Sequence, residues 1–332
     1  MSAGLASMGL LAAALAVAVA RSTTPILLAA LGGLLSELGG CINVALEGLM
    51  LLAAFFAVIG AWCLGHWMPD AAPWACACAG CATGLLAALL GAALLAAFHL
   101  ELGADLIVAG IAVNLLAEGL TVFLLVSLVG DKGSTASIST PALPSIHVPG
   151  LRESPILDTL ANGADGRGHH VLIYVAILCA AALPLLLAST RFGLRLRAVG
   201  ESPAAARNAG IDVKRMRYAA LLLSGLLAGL GGVYLSLGYL TLFQAGMSAG
   251  RGFTALAVVF LGARKPLGTI AAAVLFGASA VLSTELGAMG LPIHLVAMVP
   301  PFITICTLVF AGWIRIGRHA RPRARITTTT TS

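Results

Sequence analysis

RFGLRLRAVGESPAAARNAGIDVKRMR, residues 191–217, carries seven of the chain's 19 Lys and Arg residues and only two acids, Glu201 and Asp212. Long runs of Ala, Leu, Val and Gly lie on both sides of it. A polar, basic insert between hydrophobic spans has the form of a cytoplasmic loop in a membrane protein. Its length and its helix-forming centre, ESPAAARNAG, point to an element that another protein holds rather than a simple connector.

The flanking sequence sets the class. Hydrophobic residues make up 60% of the 332 and charged residues 10%, with a mean hydropathy of +1.02, far from soluble averages. A bilayer-spanning helix needs roughly 20 apolar residues. Windows of adequate length lie near 4–20, 43–64, 74–98, 105–129, 170–189, 218–238, 267–289 and 292–313. Two further apolar pieces, 24–36 and 253–263, are too short to span alone. The expected fold is all-α, a polytopic membrane helix bundle of about eight to ten hydrophobic segments that include discontinuous half-helices. Residues 1–316 form one transmembrane domain, and 317–332, ending in TTTTTS, form a basic, disordered tail. The first window resembles a signal peptide, with AVAVA before Arg21 as a small-residue cleavage site, but it lacks a basic n-region.

Basic residues orient the bundle. The 191–217 insert and the tail, with Arg315, Arg318, Arg321, Arg323 and Arg325, hold 12 of the 19 and should be cytoplasmic, the C-terminus included. The 131–169 loop, with three basic and four acidic residues, is then external. Arg21 alone must orient the first 36 residues.

Seven cysteines raise a metal reading that helix geometry disfavours. At about 100° per residue, Cys78 and Cys81 lie about 60° apart and Cys76 about 160° from Cys78, so three thiolates do not converge. Small buried apolar residues describe them better. Polar residues inside the spans are more telling. Asn43-Val-Ala-Leu-Glu47-Gly48 opens one span, and Asn114-Leu-Leu-Ala-Glu118-Gly119 sits inside another. Asn and Glu four apart share a helix face, and the following Gly admits a close neighbour. Such a stripe either lines a polar cavity or bonds helix to helix. A mid-membrane charge costs on the order of 2.5–3.5 kcal/mol, more than packing alone usually requires.

The short pieces point the same way. At 1.5 Å per residue, residues 253–263 reach about 17 Å, roughly half the hydrocarbon core. Interrupted segments, one in each half of a chain, mark the substrate region of many transporters, because half-helix N-termini can face a ligand. A plain interfacial loop is the alternative.

Four blocks carry a family resemblance: LGGLLSELGGCINVALEGLMLLAAFFAV, GADLIVAGIAVNLLAEGLTVFLL, RFGLRLRAVGESPAAARNAGIDVKRMRYAALLLSGLLAGLGGVYLSLG and GMSAGRGFTALAVVFLGARKPLGTIAAAVLFG. They resemble the signature blocks of bacterial ABC importer permeases, in the superfamily of branched-chain amino acid and ribose permeases. They run in family order from about residue 24 to 312. The likeness is closest to nucleoside (purine) permeases that work with a basic-membrane-protein-type binding lipoprotein. Ribose-type permeases usually show a Gly-Ile-Asp-Leu-Ser-type sequence where this chain has Cys41-Ile42-Asn43-Val44-Ala45-Leu46-Glu47-Gly48, and branched-chain amino acid permeases also differ there. Two departures stand out. Leu38 follows Ser36-Glu37 where a basic residue is usual, which puts an interfacial ion pair in question. Glu118 stands where an apolar residue is expected.

The resemblance implies a permease subunit in the bacterial inner membrane that is not itself an enzyme. Its partners would be a second permease subunit, identical or different, two cytoplasmic ABC ATPase subunits or domains, and an external binding lipoprotein, with no nucleic acid. The chain has no G-x-x-x-x-G-K-[ST] loop: Gly130-Asp131-Lys132-Gly133-Ser134 misses the spacing. ATP and Mg would therefore be used by the partner subunits, with no cofactor bound by this chain. The coupling element would be Gly200, Glu201, Ala204, Ala205, Asn208 and Gly210 in a Glu201–Gly210 helix. The substrate path would be lined by Asn43, Glu47, Asn114 and Glu118. The competing class is an ion- or proton-coupled secondary transporter using Glu47 or Glu118, with a channel as a weaker third.

Overall fold

The computed structural model describes residues 2–290 apart from 150–153, 164, 165 and 167, with scattered residues between 292 and 309. The 317–332 tail and much of the 292–313 window lie outside the described residues. Among those described are α1 (Ser2–Leu38), α2 (Leu46–Trp67), α3 (Pro73–Leu100), α4 (Leu106–Val129), α5 (Pro155–Asn162), α6 (Val171–Ser189), α7 (Arg191–Glu201), α8 (Pro203–Asn208), α9 (Val213–Val233), α10 (Arg251–Leu261) and α11 (Pro266–Ala288). A π-helical turn, Tyr234–Tyr239, extends α9. Seven of these helices are long and apolar enough to cross a membrane, and α10 is not. The chain is a polytopic membrane helix bundle. Residues 1–281 form one compact unit and 282–332 another. The first unit contains α1 to α10.

Small residues let the central helices of that first unit approach closely. Ala53 and Ala57 of α2, Ala88 and Ala92 of α3 and Ala228 of α9 are all fully buried in one core. In lipid, where apolar surface gains nothing from leaving water, such close backbone approach is what holds helices together. Helix ends follow local chemistry. Asp105 caps α4 by accepting from the N–H groups of Ile107 (2.9 Å) and Val108 (3.0 Å), and Gly130, in the left-handed region at φ 78°, ends it.

The first short piece, 24–36, is not a half-helix. It continues the 4–20 window through Pro25 in one 37-residue helix. Proline removes one helical N–H and crowds the preceding turn. Thr24 Oγ1 donates to Ala20 O (2.8 Å), and this stretch is packed against α9, so neighbours hold the helix across the defect. The far end of α1 reaches the insert: a Cβ on Gly200 would lie 3.0 Å from the carbonyl carbon of Leu38. Its near end meets the 131–169 segment, where Ile156 sits over Gly9. So α1 runs from the side of that loop to the side of the insert, an orientation that Arg21 alone left open.

The described part of the 131–169 segment is folded. A two-residue antiparallel pair joins β1 (Ser145–Ile146) to β2 (His169–His170), and Asn162 holds Val148 at both N–H (2.8 Å) and carbonyl (3.1 Å). Thr135 N–H donates to Phe243 O (2.9 Å), which ties this segment to the chain that follows α9.

The insert also departs from expectation. The Glu201–Gly210 helix is two elements, because Glu201 ends α7 and Ser202 is extended (φ −152°, ψ 99°) before the six-residue α8. Pro203 enforces this, since a residue before proline is pushed out of the helical region. Asp212 then caps α9 by accepting from Arg215 N–H (3.0 Å), so Lys214, Arg215 and Arg217 lie inside that helix rather than in a loop.

Candidate functional site

Glu47 lies in the first turn of α2. Its two carboxylate oxygens accept from the backbone N–H groups of Gly250 (2.8 Å) and Gly252 (2.6 Å), at the start of α10. A helix N-terminus has orphan N–H groups and partial positive charge, which a carboxylate satisfies. Gly250, the N-cap, has no side chain for the task, so Glu47 performs it from another helix. The approach requires glycine: a Cβ on Gly252 would lie 2.5 Å from Glu47 Cα. Arg251 fixes the turn ahead of α10 by donating to the carbonyls of Met247 (3.0 Å) and Ser248 (3.3 Å).

Asn114 does similar work one helix away. Its Nδ2 donates to Val44 O (2.9 Å) and its Oδ1 accepts from Gly48 N–H (2.8 Å), docking the start of α2 on α4. Between α2, α4 and the turn before α10 lies a cavity of about 300 Å³, lined by Glu47, Asn114, Glu118, Ser248 and Phe253 among others. One flank is open, with Ile111 47%, Leu115 65% and Phe253 49% exposed. Glu118 stands at the middle of α4, and no described residue hydrogen-bonds its carboxylate. A charge at that depth is costly against lipid, so this face of α4 meets water or protein.

Asn43 is placed differently. It is fully buried, donates from Nδ2 to Ser224 Oγ (2.9 Å) on α9 and accepts at Oδ1 from Ala45 N–H (3.0 Å). Because α2 begins at Leu46, Asn43 and Glu47 share no helical face, and Asn43 is not among the cavity's lining side chains. The structure thus brings Glu47, Asn114 and Glu118 together around one space and sets Asn43 behind it. Sequence reasoning missed Ser224, Phe253 and the backbone donors of Gly250 and Gly252; the Gly-rich GMSAGRG run was the available signal for the last two.

At the other end of α10 the chain turns through Ala263 (φ 53°) and Arg264 (φ 58°), both left-handed. Arg264 pairs with Glu37 at 2.8 Å, the latter's side chain only 6% exposed. The basic partner absent at Leu38 is supplied by a residue far along the chain. In the insert, Glu201, Ala204, Ala205, Asn208 and Gly210 are exposed, whereas Gly200 is half-buried against the end of α1. Ala206 turns inward onto Val199 and Val213. A larger cavity, about 540 Å³, lies beside the insert between His99, Arg207, Asp212, Lys214 and Arg217. Lys214 there pairs with Glu101 at 2.5 Å; hydrogen bonds from Lys214 and Tyr218 hold the Glu101 carboxyl below the usual carboxylate range.

Comparison with known proteins gives a consistent result. Residues 15–308 match the family model for the permease component of branched-chain amino acid transport systems. The chain is 38% identical over 310 residues to the guanosine ABC transporter permease protein NupQ of Bacillus subtilis, covering 90% of this chain and 91% of that one. It is 33% identical over 314 residues to the nucleoside ABC transporter permease protein NupC of Lactococcus lactis, covering 91% and 92%. It is 30% identical over 272 residues to a putative glucose ABC transporter permease protein of Haloferax volcanii, covering 80% and 75%. No solved structure matches.

Proposed function

Because the chain belongs to the branched-chain amino acid transport permease family, we propose that it is the membrane permease subunit of an ATP-driven importer for nucleosides or related small solutes. The observation that carries this reading is the half-helix α10, whose N-terminus is held by Glu47 beside a cavity that Asn114 and Glu118 also line. Irregular backbone within a membrane is tolerated where it lines a water-filled path. Glu47, Asn114 and Glu118 form the polar wall of that path, and Asn43 braces it from behind. A second permease subunit, of the same or another sequence, closes the open flank at Ile111, Leu115 and Phe253.

Energy comes from outside the chain. Two ABC ATPase subunits or domains in the cytoplasm bind ATP and Mg, and the exposed row Glu201, Ala204, Ala205, Asn208 and Gly210 seats in a groove on them. Gly200 transmits the contact to α1. On the opposite side of a bacterial inner membrane, the 131–169 segment receives a substrate-loaded lipoprotein. The C-terminus lies in the cytoplasm. The commitment of both Glu47 oxygens to backbone N–H groups argues against that residue as an ion-coupling carboxylate.

Uptake of radiolabelled nucleosides tests the reading in the native host, with the chain deleted and with Ala205→Arg. Deletion should abolish uptake of at least one nucleoside. Ala205→Arg should insert normally yet lose substrate-stimulated ATPase activity in the assembled complex. Unchanged uptake after deletion would remove the nucleoside assignment, and normal ATP-driven transport by the Ala205→Arg complex would remove the coupling assignment.

A further inference from the structure

Among the polar side chains on the cavity wall, commitments are unequal. Glu47 has each oxygen on a backbone N–H, and Asn114 has both its oxygen and its nitrogen on the backbone of α2 and the residue before it. Glu118 alone of the three has both oxygens uncommitted among the described residues, and it faces the same space from the middle of α4. A free carboxylate is an acceptor-only group with two parallel acceptor positions. Its best planar complement is a pair of adjacent N–H donors on one edge of a ligand, as in any bidentate carboxylate contact.

Resting on the nucleoside reading above, we propose that Glu118 is the specificity-determining residue of the path and selects bases that present two neighbouring N–H donors, the 2-amino-6-oxopurine edge of guanine. That edge offers N1–H and N2–H side by side, and each carboxylate oxygen accepts one. A 6-oxopurine without the 2-amino group offers a single donor. Adenine offers an acceptor next to its exocyclic N–H, and so sets a lone pair against a carboxylate oxygen. Discrimination of this kind arises as much from the mismatch imposed on the wrong base as from the match with the right one. The external partner captures the solute first; Glu118 acts as a second reader during passage.

The test is competitive uptake in the native host carrying chromosomal Glu118→Gln or Glu118→Ala, with membrane levels checked by immunoblot. Labelled guanosine, inosine and adenosine are the probes. The capturing partner is unchanged between strains, so a change in their ratio belongs to this chain. Glutamine keeps shape but presents one acceptor and one donor, which can pair with N1–H and O6 of guanine and hypoxanthine alike, leaving guanine N2–H unread, and which also match the adenine edge. In Glu118→Gln the guanosine-to-inosine ratio should fall about 10-fold and the adenosine-to-guanosine ratio should rise, while in Glu118→Ala guanosine and inosine should enter alike. Ratios that stay at wild-type values in both variants would overturn the proposal and leave the nucleoside reading intact. Equal loss of all three nucleosides at normal membrane level would also overturn it, since a discriminating residue must change preference. If deletion of the chain leaves uptake of all three untouched, the nucleoside reading itself fails, and the proposal with it.

Discussion

Asn, three residues, Glu and Gly occur twice in the sequence, at 43–48 and 114–119, and the folded chain uses the two copies in opposite ways. At 43–48 the asparagine precedes its helix, is fully buried against Ser224, and leaves the glutamate to cap α10. At 114–119 both residues lie inside α4; the asparagine is committed to the start of α2 and the glutamate is uncommitted among the described residues. Residue spacing is the same in both, so spacing does not assign the roles. The position of each motif relative to its helix start does: a first-turn glutamate can reach a neighbouring helix end, whereas a mid-helix one looks sideways into whatever lies beside the helix.

That contrast makes a ranked set of expectations. The largest effect should come from Gly252→Val, because a side chain there meets the Glu47 backbone; the variant should fail to accumulate in the membrane. Normal accumulation would mean α10 does not press this closely on α2. Glu47→Ala comes next. It orphans two N–H groups at about 1–3 kcal/mol each, and Glu47→Gln should retain one acceptor and lose less. Thermal unfolding midpoints in detergent would show the order. Asn43→Ala loses a buried donor and acceptor pair and Asn114→Ala a part-buried one, and each should destabilise by about 1–3 kcal/mol, Asn43→Ala the more. Asn43→Ala should leave solute preference unchanged, because that side chain does not line the cavity. The smallest effect on stability belongs to Glu118→Ala, within about 0.5 kcal/mol, as for a surface residue without partners. If it instead destabilised as strongly as Glu47→Ala, the two motifs would be equivalent and the contrast would collapse.

Much of the bundle could be read from the chain because the bilayer imposes a length and a polarity on each span. The basic insert at 191–217 and the short helix after GMSAGRG were also visible, being local breaks in composition. What stayed hidden was decided by partners distant in sequence. Pro25 reads as a break, yet packing against α9 carries α1 across it. The Ser202-Pro203 step was a local signal that splits the insert into two helices, and the helix-forming look of ESPAAARNAG masked it. Three of the four residues expected to line a path share a cavity, while Asn43 does not, because α2 begins only at Leu46 and Asn43 is turned to Ser224. No local pattern links Glu37 to Arg264.

The Glu37–Arg264 pair has a mechanical meaning. The insert rests on the last turn of α1 through Gly200, and that same turn holds the tail of α10 through this ion pair. From there α10 is a helix of 11 residues, about 17 Å long, whose other tip is gripped by the carboxylate that borders the cavity. The insert, the end of α1, α10 and the Glu47 carboxylate are thus joined in one unbroken series of contacts. If the insert couples as proposed, a displacement there should alter the grip on α10 beside the cavity, as with the throw of a bolt.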